Sequence, residues 1–249
     1  MNIISIIPAR MNSSRFPGKP LEKILGIPMI GHCYQRSIMC NDISETYVAT
    51  CDIEIKNYID SIGGKTIMTS NSHERATDRT AEAMIKIEKQ KQKKIDIVVM
   101  IQGDEPMIDI EDIKNLNSNI IKNKSEIATL ACKIKDRNIL NKKNVVKVIT
   151  DKELSKENIS TAKTFSREVL FNYNSCIYHH IGIYIYKVSI LEKFVNLKQS
   201  KNEINQKLEQ LRAIDNGIEI NVILANSSPI GVDTEEDFLE IKKIMNYKN

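Results

Sequence analysis

The sequence predicts an α/β fold: a mostly parallel, mixed sheet with helices on both faces. Apolar runs of strand length alternate with segments of helical period through the N-terminal part of the chain. The strongest run, 95–101 (IDIVVMI), is continuous and rich in β-branched residues. A strand with one wet face alternates apolar and polar residues; an unbroken apolar run belongs to a strand covered on both faces.

Taken in order, residues 3–8 form a short apolar run ending at Pro8 and predict a buried strand. Residues 10–19 are polar, carry glycine and proline, and predict a loop. A helix follows at 29–39, then a second strand at 46–50 (TYVAT). The helix at 52–62 stops at Gly63-Gly64, a favourable C-terminal signal. A third strand is predicted at 66–69, an amphipathic helix at 77–90 and the fourth strand at 95–101. In such sheets the binding crevice lies at the carboxyl ends of the strands. The polar segments after the first and fourth strands are therefore expected at one rim. Beyond residue 108 the pattern is mixed: helix 109–122, strands 127–133 and 145–150, a strand at 177–187, helices 190–197 and 203–216, strand 219–225 and a terminal helix 234–247. Residues 152–176 have no strong period and predict a loop or hairpin region. No internal repeat interrupts the chain, so one domain is expected over 1–249, with an inserted lobe at roughly 150–200.

Composition excludes several classes. A hydrophobic content of 41% suits a packed core and not a disordered chain. No run of eighteen apolar residues occurs, so no membrane insertion is expected. The apolar N-terminus has no basic leader and reads as a strand, which points to the cytoplasm. Five cysteines, an odd number with no CxxC spacing, argue against a disulfide framework or a zinc site. The net charge of +4 comes from scattered lysines without interleaved aromatic residues, so no nucleic-acid partner is expected.

Three polar segments carry chemistry. In PARMNSSRFPGKP at 8–20, Arg10, Arg15 and Lys19 stand at five- and four-residue steps beside Ser13 and Ser14. Backbone amides in a tight loop with three cations suit a triphosphate. Neither a Walker A loop nor a Rossmann glycine fingerprint is present. Gln102-Gly103-Asp104-Glu105-Pro106 follows the fourth strand; a carboxylate there is placed to hold Mg²⁺, and Gly103 allows close backbone approach. A simple turn would also use these residues. In Gly231-Val232-Asp233-Thr234, Thr234 reads as the N-cap of the last helix, and Asp233 as a second metal ligand or as part of the cap.

Together these segments carry a resemblance. IIPARMNSSRFPGKPL, QGDEPMI, NVVKVITD at 144–151, FSR at 165–167, HIGIYIYK at 180–187, LEQLRAI at 208–214 and GVDTEEDF at 231–238 run almost from end to end. In this order and spacing the chain resembles the 3-deoxy-manno-octulosonate cytidylyltransferases, or CMP-Kdo synthetases. The resemblance implies a nucleotide-diphospho-sugar transferase-like fold, a small inserted dimerisation lobe, a homodimer, and CTP and an acidic sugar as substrates. CTP and an eight-carbon 3-deoxy-ulosonic acid would give CMP-sugar and pyrophosphate. It places Arg10 and Lys19 on the triphosphate, with Ala9, Ser13, Ser14, Thr77, Gln102 and Gly103 lining the nucleotide. It makes Asp104 and Asp233 the ligands of Mg²⁺. It sets Arg15, Arg79, Gln102, His180, Tyr184, Glu209 and Gln210 around the sugar acid.

Taken without the family, several of these residues are ordinary. His73 and His179 read as packed or surface residues. Tyr178, Tyr184 and Tyr186 share one face of a strand and predict core packing. Glu209 and Gln210 read as solvent-exposed positions of a helix. The chain also departs from the family pattern. Arg75-Ala76 replaces the usual Ser-Gly pair, and the segment after Arg167 lacks the usual proline and tryptophan. A modified acid, such as an amino-substituted sugar, is thus an alternative substrate. A phosphorylated acceptor is a second alternative, and a non-catalytic nucleotide-sugar-binding protein a third; the presence of both Asp104 and Asp233 argues against the last.

Overall fold

Strand β1 (Ile3–Ala9) is buried at every position, Ser5 included, as its otherwise apolar sequence implies. The computed structural model describes residues 1–13, 15–135, 138–168 and 176–246. The chain forms two compact units. One comprises Met1–Ile110 with Pro229–Asn249, and the other Glu111–Ser228.

In the first unit, β1 leads through a 3-10 turn at Lys19–Leu21 into a hairpin of β2 (Lys23–Ile24) and β3 (Ile27–Pro28). Leu25 and Gly26 both have positive φ, as a tight two-residue hairpin requires. Then come α1 (Met29–Ile38), β4 (Glu45–Thr50), α2 (Ile53–Ser61), β5 (Thr66–Met68), α3 (Ala76–Lys91) and β6 (Ile97–Met100). Gly63, with φ +72, ends α2 as predicted. The strands lie in the order β5-β4-β1-β6, all parallel. Parallel pairing puts the carboxyl ends of β1, β4, β5 and β6 on one edge. The loops at 10–18, 51–52, 69–75 and 101–109 therefore share that rim.

The second unit begins with α4 (Ile110–Lys122) and continues with β7 (Ile127–Lys133), α5 (Asn138–Asn141), β8 (Lys147–Thr150), β9 (Ser160–Ser166) and β10 (Ile177–Lys187). It is completed by α6 (Val188–Val195), α7 (Lys201–Gln206), α8 (Leu211–Asp215) and β11 (Ile220–Leu224). Its strand order is β10-β7-β11-β9-β8, and β8 also pairs with β10. The pairings thus close on themselves, which leaves these strands few unpaired edges.

The chain returns to the first unit for α9 (Glu235–Asn246). Thr234 caps it as predicted: its Oγ1 accepts from the Asp237 amide at 3.2 Å, while Asp237 Oδ2 accepts from the amides of Asp233 and Thr234. Phe238 and Ile241 of this helix pack with Ile24, Met29 and Val232, and Phe16 lies against the same cluster.

Two element expectations need correction. The strand at 145–150 begins at Lys147, whereas the hairpin expected within 152–176 is present, since β9 pairs antiparallel with β8. The single helix expected at 203–216 is two short helices, broken where Lys207 takes a left-handed φ of 55°. The cause is a buried ion pair. Arg212 Nε and Nη2 donate to the two carboxylate oxygens of Glu203 at 2.8 and 2.6 Å. In one continuous helix, residues nine apart point to opposite faces, about 180° around and ~14 Å along. The pair forms only if the chain turns back between them.

Candidate active site

The loop after β1 is tied at several points. The Met11 amide donates to Asp52 Oδ2 at 2.8 Å, and Met11 O accepts from the amides of Ser13 and Gly18. Gly18 takes φ +75, opening the 3-10 turn that carries Lys19. Phe16 packs edge-on against Phe238, with ring centroids 5.6 Å apart. Arg15 and Lys19 are thereby held on a loop anchored at both ends.

Two carboxylates meet these cations. Lys19 Nζ donates to Asp104 Oδ2 at 2.7 Å and to the Val232 carbonyl at 2.6 Å, and lies 4.0 Å from Asp233 Oδ1. Arg15 Nη2 donates to Asp233 Oδ1 at 2.8 Å. The Val232 amide donates to the Asp104 carbonyl at 2.9 Å, joining the two acidic segments directly. Gly103 lets the turn approach β1 closely: an added Cβ would stand 3.1 Å from the Pro8 carbonyl, a tight contact.

Glu105 lies beneath this pair, and sequence reasoning missed it. It is buried, its Oε2 has no hydrogen-bond partner among the described residues, and a Cβ on Gly231 would stand 3.1 Å from its Oε1. Burial, then the charges of Asp104 and Asp233, push its carboxyl up to about 8, with Lys19 opposing. Asp233 is also raised, first by burial and then by Asp104. No sequence signal separates Glu105 from an ordinary turn residue. Its burial depends on a loop from the far end of the chain.

A cleft of about 270 Å³ collects most of the residues expected at the nucleotide, Ala9, Arg10, Ser13, Lys19, Gln102 and Gly103, together with Asp104, Arg15, Arg79 and Asp233. Thr77 is buried in the first turn of α3 and is not in the lining. Ser14 lies outside the described residues. Arg79 is buried; its guanidinium donates to Thr69 Oγ1 and to the carbonyls of Ser70 and His73. Those bonds make it the anchor of the 69–73 loop and leave Arg15 better placed to clamp a carboxylate. Arg75, at the N-cap of α3, lines the same cleft, as does His73, which pairs with Glu82.

The other residues expected around the sugar acid, His180, Tyr184, Glu209 and Gln210, lie in the second unit. The rings of His180 and Tyr184 are 5.4 Å apart, and Tyr184 stacks on Tyr186. Tyr178, Tyr184 and Tyr186 are all buried, as their strand spacing predicted. The Tyr184 hydroxyl is within electrostatic reach of Glu209. Gln210 is buried as well, against the exposure expected of a helix surface, because the turn between α7 and α8 draws it inward. Burial holds His180 neutral, its pKa pushed down to about 3.

Comparison with known proteins bears on this geometry. Residues 4–220 match the family model described as cytidylyltransferase. The chain belongs to the cytidylyltransferase family. It is 42% identical to a 3-deoxy-manno-octulosonate cytidylyltransferase of Thermodesulfovibrio yellowstonii, over 99% of each chain. It is 40% identical to an 8-amino-3,8-dideoxy-manno-octulosonate cytidylyltransferase of Shewanella pealeana, over 95% of this chain and 96% of that one. Among solved structures, a CMP:2-keto-3-deoxy-manno-octonic acid synthetase complexed with CTP superposes with a TM-score of 0.88 at 33% identity, covering both chains completely.

For a cytidylyltransferase, the acidic pair is the place to test for a metal. Asp104 and Asp233 share one ammonium, and Asp233 is raised partly by Asp104. Two carboxylates that repel each other across a cation fit a hard divalent ion. Among the described residues no cluster of three or more His, Cys, Asp or Glu forms a metal cage. Two protein ligands, with the rest from phosphate and water, is the usual arrangement for an ion that binds with a nucleotide. No helix of the described residues is long and apolar enough to cross a membrane.

Proposed function

We propose that this cytidylyltransferase uses CTP and Mg²⁺ to activate an eight-carbon 3-deoxy-ulosonic acid, giving CMP-sugar and pyrophosphate. The product would serve lipopolysaccharide or capsule synthesis in the cytoplasm, and the enzyme would act as a homodimer. One observation carries the reading: Lys19 reaches both Asp104 and Asp233 from the arginine-bearing loop. Relatives named for the sugar acid and for its 8-amino form match almost equally well, at 42% and 40%. The acceptor is therefore proposed as a class.

The residues divide the work. Arg10 and Lys19 neutralise the triphosphate, and Arg15 offers a planar fork to a carboxylate or phosphate. His180, Tyr184, Glu209 and Gln210 bind the acceptor. The acceptor's anomeric hydroxyl attacks the α-phosphorus; the new O–P bond forms as the bond to pyrophosphate breaks, and the hydroxyl proton leaves to solvent. A bound Mg²⁺ would take up charge on the phosphates and acidify the attacking hydroxyl. Such a displacement needs positioning and charge rather than a protein nucleophile. Cys33, near Asp104 and Glu105, fits that view: burial pushes its thiol far up, away from the thiolate.

The test is pyrophosphate release with CTP, Mg²⁺ and a panel of ulosonic acids, with UTP and ATP as controls. CTP with one or more of the acids should turn over. Asp104→Ala should lower turnover on the order of a thousandfold while CTP binding weakens less. Unchanged turnover in that variant would remove the metal role.

A further inference from the structure

The pairing of β10 with β7 breaks at one point. His180 and Ile181 face Ala131 and Leu130, but the next partner of Thr129 is Tyr184. Gly182 and Ile183 are extra residues, and the carbonyls on either side of the bulge turn to one side chain. Thr129 Oγ1 is 2.7 Å from the Ile183 carbonyl and 3.3 Å from the Ile181 carbonyl. Thr129 is fully buried. A carbonyl only accepts, so the single hydroxyl proton of Thr129 is committed to the bulge.

His180 Nε2 lies 3.0 Å from the same oxygen. With its proton directed at the bulge, Thr129 Oγ1 presents lone pairs to the imidazole, and Nε2 must supply the hydrogen. The Tyr184 phenol lies close enough to Thr129 to interact with its hydroxyl, but its oxygen is in hydrogen-bonding geometry with no described residue, and the Ile183 carbonyl at 2.7 Å is the better-placed acceptor of the Thr129 proton. The ring is also fixed by an edge contact with Phe165, centroids 5.0 Å apart, and the His180 amide donates to the Val146 carbonyl. Burial, then the neighbouring His179, keeps the imidazole neutral. A neutral ring protonated on Nε2 carries a bare lone pair on Nδ1.

We propose that Thr129 is a positioning residue that locks His180 in the Nε2–H tautomer, so that His180 meets the acceptor molecule through Nδ1 as a hydrogen-bond acceptor only. The inference rests on the proposed role of His180 in acceptor binding. It extends that role to chemistry: the group recognised there is a hydroxyl or an amine N–H, and a methylated or deoxygenated position is discriminated against. The opposite tautomer would set two lone pairs against each other or draw the Thr129 proton away from both bulge carbonyls.

The test has two arms. Long-range ¹⁵N–¹H correlation on the histidine-labelled full-length protein reads the tautomer directly. His180 should show a protonated Nε2 and an unprotonated Nδ1; a protonated Nδ1 overturns the proposal. That spectrum needs no variant to fold, and it holds whatever the acceptor proves to be. In kinetics, Thr129→Val should raise KM for the sugar acid about three- to tenfold, the worth of one hydrogen bond. KM for CTP and kcat should stay near wild type, and Thr129→Ser should restore the KM. A Thr129→Val enzyme with unaltered KM for the acid, or a Ser variant as impaired as the Val variant, also overturns it. If no sugar acid turns over at all, the proposed function fails while the spectrum still decides the tautomer.

Discussion

At the scale of single residues, the acidic pair and the carboxyl beneath it act as one electrostatic unit. Glu105 is raised to about 8 in the folded chain, from 4.5 when unperturbed. In metal-free protein the folded state therefore holds a proton that the unfolded state releases. The stability associated with that proton is complete below about pH 4.5 and is lost as pH rises toward about 8, beyond which it levels off. Asp233, also raised, has the same sign. Glu105→Gln keeps the shape without the charge, so the loss of stability between pH 5 and 8, on the order of 4 kcal/mol, should largely disappear. Denaturant titrations of both proteins at the two pH values, with chelator present, measure it; equal slopes would mean that Glu105 is not the group responsible. Asp104, Asp233 and Lys19 were legible in the sequence because each stands in an unusual polar segment next to a strand or helix end. Glu105 and Thr129 were not. A glutamate before proline and a threonine in a strand are ordinary until burial and a bulge give them work.

At the scale of elements, α7 and α8 show what periodicity alone misses. An apolar stripe continues from 203 to 216, so a single helix is the natural reading. The buried pair of Glu203 and Arg212 overrides it, and Ser200 closes a capping box with the same Glu203. Arg212 also stacks over Phe194 at 4.9 Å. Removing one partner from such a pair strands a buried charge, a loss of about 3–5 kcal/mol. Arg212→Met should thus lower the melting temperature by roughly 10 °C, and Glu203→Gln added to it should recover much of the loss. A single variant that melts like the wild type would show the pair to be dispensable. The turn that this pair imposes carries Glu209 and Gln210, so the break is also what buries Gln210 and half-buries Glu209 instead of leaving both on a helix surface.

At the scale of the whole molecule, ligands that bind only the folded chain raise its stability by mass action. CTP with Mg²⁺ at about one hundred times its dissociation constant should add about 2.7 kcal/mol, or roughly 5–10 °C in melting temperature for a chain of this size. Asp104→Ala and Asp233→Ala should each lose the part of that shift that depends on Mg²⁺, which thermal scans with and without the metal separate. A full magnesium-dependent shift in both variants would place the metal elsewhere.

The sequence by itself determined the class of fold, the parallel strands of the first unit and the polar loops at their carboxyl ends. These follow from local rules: unbroken β-branched runs bury both faces, and glycine or proline ends them. It also determined family membership, because the motifs hold their order along nearly the whole chain. Only the tertiary structure decided that Lys19 spans Asp104 and Asp233, that Arg79 anchors a loop, that Glu105 is buried under Gly231, and that Thr129 directs the His180 tautomer. Each depends on groups far apart in sequence arriving within a few ångströms, where burial strips away water and makes charge and hydrogen-bond direction decisive.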